Sequence, residues 1–222
     1  MIAELLPSPI GTGSAFVDYD AALTALYPQE AAAVASARPK RLQEYANVRL
    51  CARRAMRELG VPPTPVLSGP RGEPLWPEGI VGSLTHCPGF RAAAMGRSSA
   101  FVGLGIDAEP NLPLEGDLLE FISLPQEWAR VHTLTRSSPG VCWDRLLFSA
   151  KEAVFKIWFP LTGRELDFSE ADMRIDPDEG TFSARLLVQG PMVDGQRIEE
   201  FDGRWLSRQG LLLTAIALRR RT

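Results

Sequence analysis

Between Phe148 and Phe159 the chain reads Phe-Ser-Ala-Lys-Glu-Ala-Val-Phe-Lys-Ile-Trp-Phe, a stretch with helical spacing that leaves little polar surface on any side. Such a helix has to be enclosed by the rest of the fold, yet it carries Lys151, Glu152 and Lys156. Glu152 and Lys156 are four apart and share a face, with Lys151 on its flank. Burying those charges against a plain core would be costly, so this strip must face a cleft or a partner.

A second charged segment lies about forty residues earlier. The run Ala100-Phe101-Val102-Gly103-Leu104 reads as a strand and leads into Gly105-Ile106-Asp107-Ala108-Glu109. Side chains two apart on a strand project from one face, so Asp107 and Glu109 point the same way. Two carboxylates from a strand and Glu152 from a helix make an all-oxygen set of the kind Mg²⁺ prefers, and the lysines add charge for phosphates. These residue types suit chemistry on a phosphate ester.

The remaining pattern divides the chain at its Pro and Gly clusters. A helix is expected from Pro39 to Leu59, with Ser36 as a cap, Pro39 at an early helical position and Gly60 past the end. Leu42, Tyr45, Val48, Ala52, Ala55, Met56 and Leu59 form its apolar stripe, and Gln43, Asn47, Arg54 and Glu58 lie opposite. Arg41 and Arg49 fall on or beside the apolar side. A buried guanidinium needs an anion, so these two are either paired with carboxylates or reserved for a ligand's phosphates.

Residues 61–78 read as a loop containing Gly69-Pro70-Arg71-Gly72-Glu73-Pro74. Strands follow at Ile80–Cys87, Arg91–Met95 and Ala100–Ile106. A long helix is expected from about Ser138-Pro139 until Pro160 ends it. The tail reads as strands at Met173–Ile175, Phe182–Val188, Gly203–Ser207 and Leu211–Leu218, the last two joined by Arg208-Gln209-Gly210. The expected class is α+β in two halves, residues 1–111 and 112–222, divided near Pro110–Pro113. No clear internal repeat is evident.

Bulk properties exclude several functions. A net charge of −3 and a sequence pI near 5.5 argue against a protein that grips nucleic acid by a broad basic face, so any bound phosphate must be met by local charge. The first residues lack a signal-peptide pattern, and Leu211–Leu218 is too short to span a bilayer, so no membrane association is expected and the cytoplasm is the expected compartment. Cys51, Cys87 and Cys142 form no Cys-x-x-Cys pair, which suits a reducing compartment. His86 and Cys87 cannot act as a nucleophilic dyad because neighbours on a strand face opposite ways. His86 suits a phosphate hydrogen bond, while His132 has no ligand spacing. No Walker A loop is present.

In this order and at these separations, Gly82-Ser83-Leu84-Thr85-His86-Cys87, Gly105 to Glu109 and Phe148 to Lys156 resemble the Sfp-type 4′-phosphopantetheinyl transferases, nearest the branch containing enterobactin synthetase component D. The likeness extends to Val48-Arg49-Leu50-Cys51-Ala52-Arg53, to Arg71-Gly72-Glu73-Pro74 and to the closing strands. It implies two pseudo-twofold-related α/β subdomains with coenzyme A in the cleft between them. The implied reaction transfers 4′-phosphopantetheine to a serine of an acyl or peptidyl carrier protein or carrier domain and releases 3′,5′-ADP. Carried over by motif, Asp107, Glu109 and Glu152 hold Mg²⁺, or Mn²⁺ in its place. Lys156 stabilises or protonates the departing phosphate, Lys151 contacts the pyrophosphate, and Glu152, directly or through a water, is the base for the serine. Arg49 and His86 match positions that bind the coenzyme's phosphates, with Thr85 beside them and Arg41 and Arg71 alongside.

The resemblance also implies carrier docking beside the cleft, with Phe121, Ile122 and Leu124 as exposed apolar candidates, and an active monomer whose single chain supplies both walls. Phe148 departs from the tryptophan of many relatives, which affects packing there. Two other readings fit the bare residues: a different metal-dependent enzyme acting on phosphate esters, such as a hydrolase or nucleotidyltransferase, and a protein that binds coenzyme A without catalysis.

Overall fold

A computed structural model describes residues 1–221. Two antiparallel sheets, each carrying one helix of twenty residues, make an α+β fold. The smaller sheet has three strands, with Phe90–Arg97 central between Gly11–Ala15 and Ile80–Cys87, and the Pro39–Glu58 helix packs on it. The larger runs Phe101–Pro110, Leu211–Arg219, Glu200–Arg208, Thr181–Leu186, Ala171–Asp176, with the Trp143–Thr162 helix on one face.

The sheets meet along Phe101–Pro110. Its even-numbered residues Leu104, Ile106 and Ala108 enter a core shared with Phe90, Ala92, Ala94, Leu213 and Ala215. Across that seam two hydroxyls take the place of ladder partners: the Ile106 N–H donates to Ser83 Oγ and the Ala108 N–H to Thr85 Oγ1, each at 3.1 Å. The chain passes between sheets at residues 98–100. Strands 90–97 and 101–110 are therefore consecutive but unpaired, and the Pro110–Pro113 segment marks the end of a strand of the larger sheet.

The other face of Phe101–Pro110 belongs to the Trp143–Thr162 helix, and glycine makes that possible. A Cβ on Gly105 would lie 2.1 Å from the Ala153 carbonyl oxygen. Gly13 does the same for the first half, where a Cβ would lie 2.1 Å from the Cys51 carbonyl oxygen of the Pro39–Glu58 helix. Both strands read Gly-x-Gly, at Gly11–Gly13 and Gly103–Gly105, and in each the second glycine lets a helix backbone come close.

Several local expectations shift. The long second helix begins at Trp143, after a separate helix at Pro125–Ser137, and runs through Pro160 to Thr162. Proline removes one hydrogen bond, a tolerable loss in a last turn, and the stop is Gly163 with φ +65°. Arg38, not Ser36, stands at the N-cap position of the first helix and makes no side-chain capping bond, while Pro39 does sit at its first position. Asn47 is fully buried, since its side chain accepts the Tyr19 N–H at 2.8 Å and donates to the Gln43 carbonyl. That polar face is covered by strand Gly11–Ala15 and the chain after it, with Arg54 donating to Ser14 O and Glu58 accepting the Thr12 N–H. The 61–78 loop contains a small hairpin, Leu67–Ser68 with Pro74–Leu75. The closing hairpin turns through Gln209 and Gly210, both at positive φ as a type I′ turn requires.

Candidate active site

Asp107 follows Gly105 by two residues and so faces the same helix. Its carboxylate is nearly inaccessible and receives three donors. Lys156 Nζ reaches Oδ1 at 2.6 Å, Thr85 Oγ1 reaches the same oxygen at 3.1 Å, and Ser149 Oγ reaches Oδ2 at 2.9 Å. Lys156 also donates to the Ile106 carbonyl. Glu109, next along that face, accepts from Arg145 Nη1 at 3.1 Å. Burial, reinforced by Asp107, holds the Glu109 carboxyl above the ordinary glutamate range against the opposing pull of Arg145. Glu152 is raised as well, by burial first, with Lys156 opposing and Asp107 adding.

These carboxylates border a cavity of about 390 Å³ whose opposite wall is the Pro39–Glu58 helix. Arg49 lies against the Tyr45 ring, 3.6 Å from its centroid, and donates to Val66 O at 3.0 Å and Ser68 Oγ at 3.1 Å. It is 6% exposed and forms no ion pair among the described residues. Burial draws its pKa below the ordinary arginine value, a penalty that an anionic ligand would relieve. Of the two uses that sequence allowed for Arg49, the structure therefore excludes a carboxylate partner.

His86 Nε2 stands 3.5 Å from Glu44 Oε2 and from Arg41 Nη1. Burial lowers the His86 pKa and so favours the neutral ring, while Glu44 opposes. Arg41 is largely exposed and 3.8 Å from Glu44. At the rim, Arg71 pairs with Glu165, both exposed, which ties the 69–73 loop to the segment after the second long helix. Phe148, Phe155 and Phe159 complete an apolar wall.

Two family models match this chain: one described as the 4′-phosphopantetheinyl transferase N-terminal domain over residues 29–96, and one described as the 4′-phosphopantetheinyl transferase superfamily over residues 103–205. The 4′-phosphopantetheinyl transferase Svp of Streptomyces mobaraensis is 57% identical over 219 residues, which is 98% of this chain and 89% of that protein. This chain belongs to the 4′-phosphopantetheinyl transferases. PptT of Mycobacterium tuberculosis is 44% identical, with 98% of each chain covered. The likeness to enterobactin synthase component D of Salmonella typhi is weaker, 33% over 121 residues, or 54% of this chain and 50% of that protein.

In this transferase the cavity gathers Arg41, Arg49, Arg71, His86, Asp107, Glu109, Glu152 and Lys156. Two expected residues stand outside it. Thr85 is buried in the seam between the sheets, where it accepts the Ala108 N–H and donates to Asp107, so it supports the carboxylate. Lys151 is buried with Glu127, the Phe168 carbonyl and the Ala171 carbonyl around its ammonium. Its side chain leaves the helix on the flank, and the Pro125–Ser137 helix takes it up.

Among the described residues, no three Asp, Glu, His or Cys side chains are gathered closely enough to hold a metal ion as they stand. Asp107 is engaged by Lys156, Thr85 and Ser149, and Glu109 by Arg145. Their chemistry still fits a hard divalent cation, because all donors are carboxylate oxygens on one cavity and two carry a burial penalty that a cation would offset. Sequence reasoning missed Arg145, Ser149 and Glu44. The first two sit eleven and seven residues before Lys156 on the face of Glu152, so extending the helical pattern backward finds them. Glu44 lies one turn after Arg41 but had no signal of its own. Of the docking candidates, Phe121 is 77% exposed and Leu124 half-buried, whereas Ile122 is buried.

Proposed function

We propose that the cavity binds coenzyme A and carries out transfer of its 4′-phosphopantetheine arm to a serine of an acyl or peptidyl carrier protein. The observation that supports this most is one cavity lined on one side by a buried arginine without an ion-pair partner among the described residues and by His86, and on the other by Asp107, Glu152 and Lys156. The first wall suits the coenzyme's phosphates and the second the reacting pyrophosphate.

Arg49 would bind a phosphate through its forked donors, with Arg41 and His86 near the mouth and Arg71 at the rim. The serine oxygen forms its bond to the phosphorus that bears pantetheine, and the bridging oxygen departs with 3′,5′-ADP. Glu152, directly or through a water, accepts the serine proton. Lys156 reaches across to Asp107 and would meet the charge that grows on the departing oxygen. Asp107, Glu109 and Glu152 would hold Mg²⁺, or Mn²⁺ in its place, after Lys156 and Arg145 give way. When bound, that ion supplies neutralisation of the pyrophosphate charge.

That one chain supplies both walls supports action as a monomer. Among the described residues no helix is long and apolar enough to cross a membrane, which is compatible with the cytoplasm. Exposed Phe121 lies beside Phe168, with ring centroids 6.2 Å apart, and Phe168 lies 6.3 Å from Phe148 of the cavity wall, a placement that suits carrier docking.

Intact mass of a purified apo carrier protein, incubated with this protein, coenzyme A and Mg²⁺, tests the reading. One phosphopantetheine should be gained, and a chelator should prevent it. Release of nucleotide without a carrier would favour a hydrolase, and coenzyme binding with no gain across several carriers would favour a binding protein.

A further inference from the structure

Residues 27–30 read Tyr-Pro-Gln-Glu and residues 124–127 read Leu-Pro-Gln-Glu. In each the proline opens a helix and the glutamate turns back to cap it. Glu30 accepts the Tyr27 N–H at 3.0 Å, and Glu127 accepts the Leu124 N–H at 2.7 Å. The other oxygen of each takes a distant backbone donor, Val66 N–H at 2.9 Å or Met173 N–H at 2.7 Å. Both glutamates are sealed from solvent, and each is paired with a cation from the long helix of its own half. Glu30 holds Arg53, and Glu127 holds Lys151 Nζ at 2.8 Å.

The glycine contacts set the two long helices in register. Gly13 lies under the Cys51 carbonyl and Gly105 under that of Ala153. Two residues before these carbonyls stand Arg49 and Lys151, and two residues after stand Arg53 and Phe155. In the first half Arg53 satisfies the buried glutamate, which leaves Arg49 free to line the cavity. In the second half Phe155 cannot do so, and Lys151 is the cation that remains. Its three N–H groups have three protein acceptors: Glu127, Phe168 O at 2.6 Å and Ala171 O at 3.2 Å. Nothing is left over for a phosphate.

We propose that Lys151 and Glu127 are positioning residues, and that Lys151 is not a ligand of the pyrophosphate. The pair ties the Trp143–Thr162 helix to the Pro125–Ser137 helix and to the start of the Ala171–Asp176 strand. It thereby fixes the rotation that aims Glu152 and Lys156 at Asp107. This proposal rests on the transferase reading of the cavity.

The chain contains three lysines, Lys40, Lys151 and Lys156, so amine labelling of the unaltered protein gives a simple test. Labelling is followed by peptide mass with and without desulfo-coenzyme A, which lacks a competing thiol. Lys40 should react, Lys156 should react and be protected by the ligand, and Lys151 should stay unlabelled in both. Labelling of Lys151 that the ligand suppresses overturns the proposal. Failure of the ligand to protect Lys156 instead counts against the coenzyme site, whatever Lys151 does.

Steady-state kinetics of Glu127→Gln and Lys151→Met supply the second readout. Both should lose about tenfold or more in kcat, with KM for coenzyme A within about twofold, because a displaced helix misaims groups without removing a phosphate contact. Where a single variant fails to fold, the double variant Glu127→Leu with Lys151→Met replaces both charges by apolar groups, a change that buried pairs often tolerate. It should bind coenzyme A within about threefold of the unaltered protein and turn over slowly. A tenfold loss of coenzyme affinity, or an unchanged kcat beside a lowered Tm, overturns the positioning role.

Discussion

Gly105→Ala is the most demanding test of how this site is assembled. The added Cβ would lie 2.1 Å from the Ala153 carbonyl oxygen and 3.3 Å from Ile157 Cβ. An ordinary carbon–oxygen contact is roughly 3.2 Å, so helix and strand must separate by about 1 Å. Overpacking of that kind costs about 1–3 kcal/mol. For a chain of this size each kcal/mol lowers Tm by about 2–4 °C, which gives an expected fall of roughly 2–12 °C. The same separation carries Lys156 away from Asp107, a contact now 2.6 Å long. A misplacement near 1 Å is worth about a hundredfold in rate. Differential scanning fluorimetry and the carrier-mass assay read both effects. Gly140→Ala is the control, since a Cβ there meets no atom within 4 Å. If Gly105→Ala matched Gly140→Ala in Tm and rate, the argument that close backbone approach builds the site would fail.

Three further outcomes are expected. Glu152 has a raised folded pKa, so at neutral pH its charge costs stability, and the cost is withdrawn as pH falls through that value toward the ordinary glutamate value. Glu152→Gln should therefore raise Tm at neutral pH without divalent ion, lose this advantage in acid and abolish transfer; a lower Tm at neutral pH would contradict the burial argument. Arg49→Gln should raise KM for coenzyme A by about tenfold or more, the worth of a charge-assisted contact, and unchanged KM would remove Arg49 from the site. Arg71→Ala breaks only an exposed pair with Glu165, so chemical denaturation should show a stability change within about 1 kcal/mol.

Much of the site was readable from spacing. Asp107 and Glu109 share a face because a strand alternates, and Glu152 and Lys156 share one because a helix turns every 3.6 residues. Arg49 was narrowed to two uses by the cost of burying a guanidinium, and only the absence of a carboxylate beside it separated them. Lys151 shows where such reasoning stops. Its neighbour Glu152 lines the cavity, but one residue along a helix is a rotation of about 100°, and that carries Lys151 to Glu127. Thr85 likewise lies beside His86 in sequence and on the other side of the strand in space.

The first long helix, the main strands from Ile80 onward, the expected α+β class and the charged strip that had to meet a cleft follow from the sequence, because local periodicity and burial cost are properties of short segments; the strand Gly11–Ala15 does not. Three outcomes needed the tertiary structure: the strand Phe101–Pro110 joining the second sheet, the glycine contacts that bring Ala153 and Cys51 so near, and the buried glutamate that claims Lys151. Each depends on which distant groups meet, and a side chain's role is set by the partner that reaches it first.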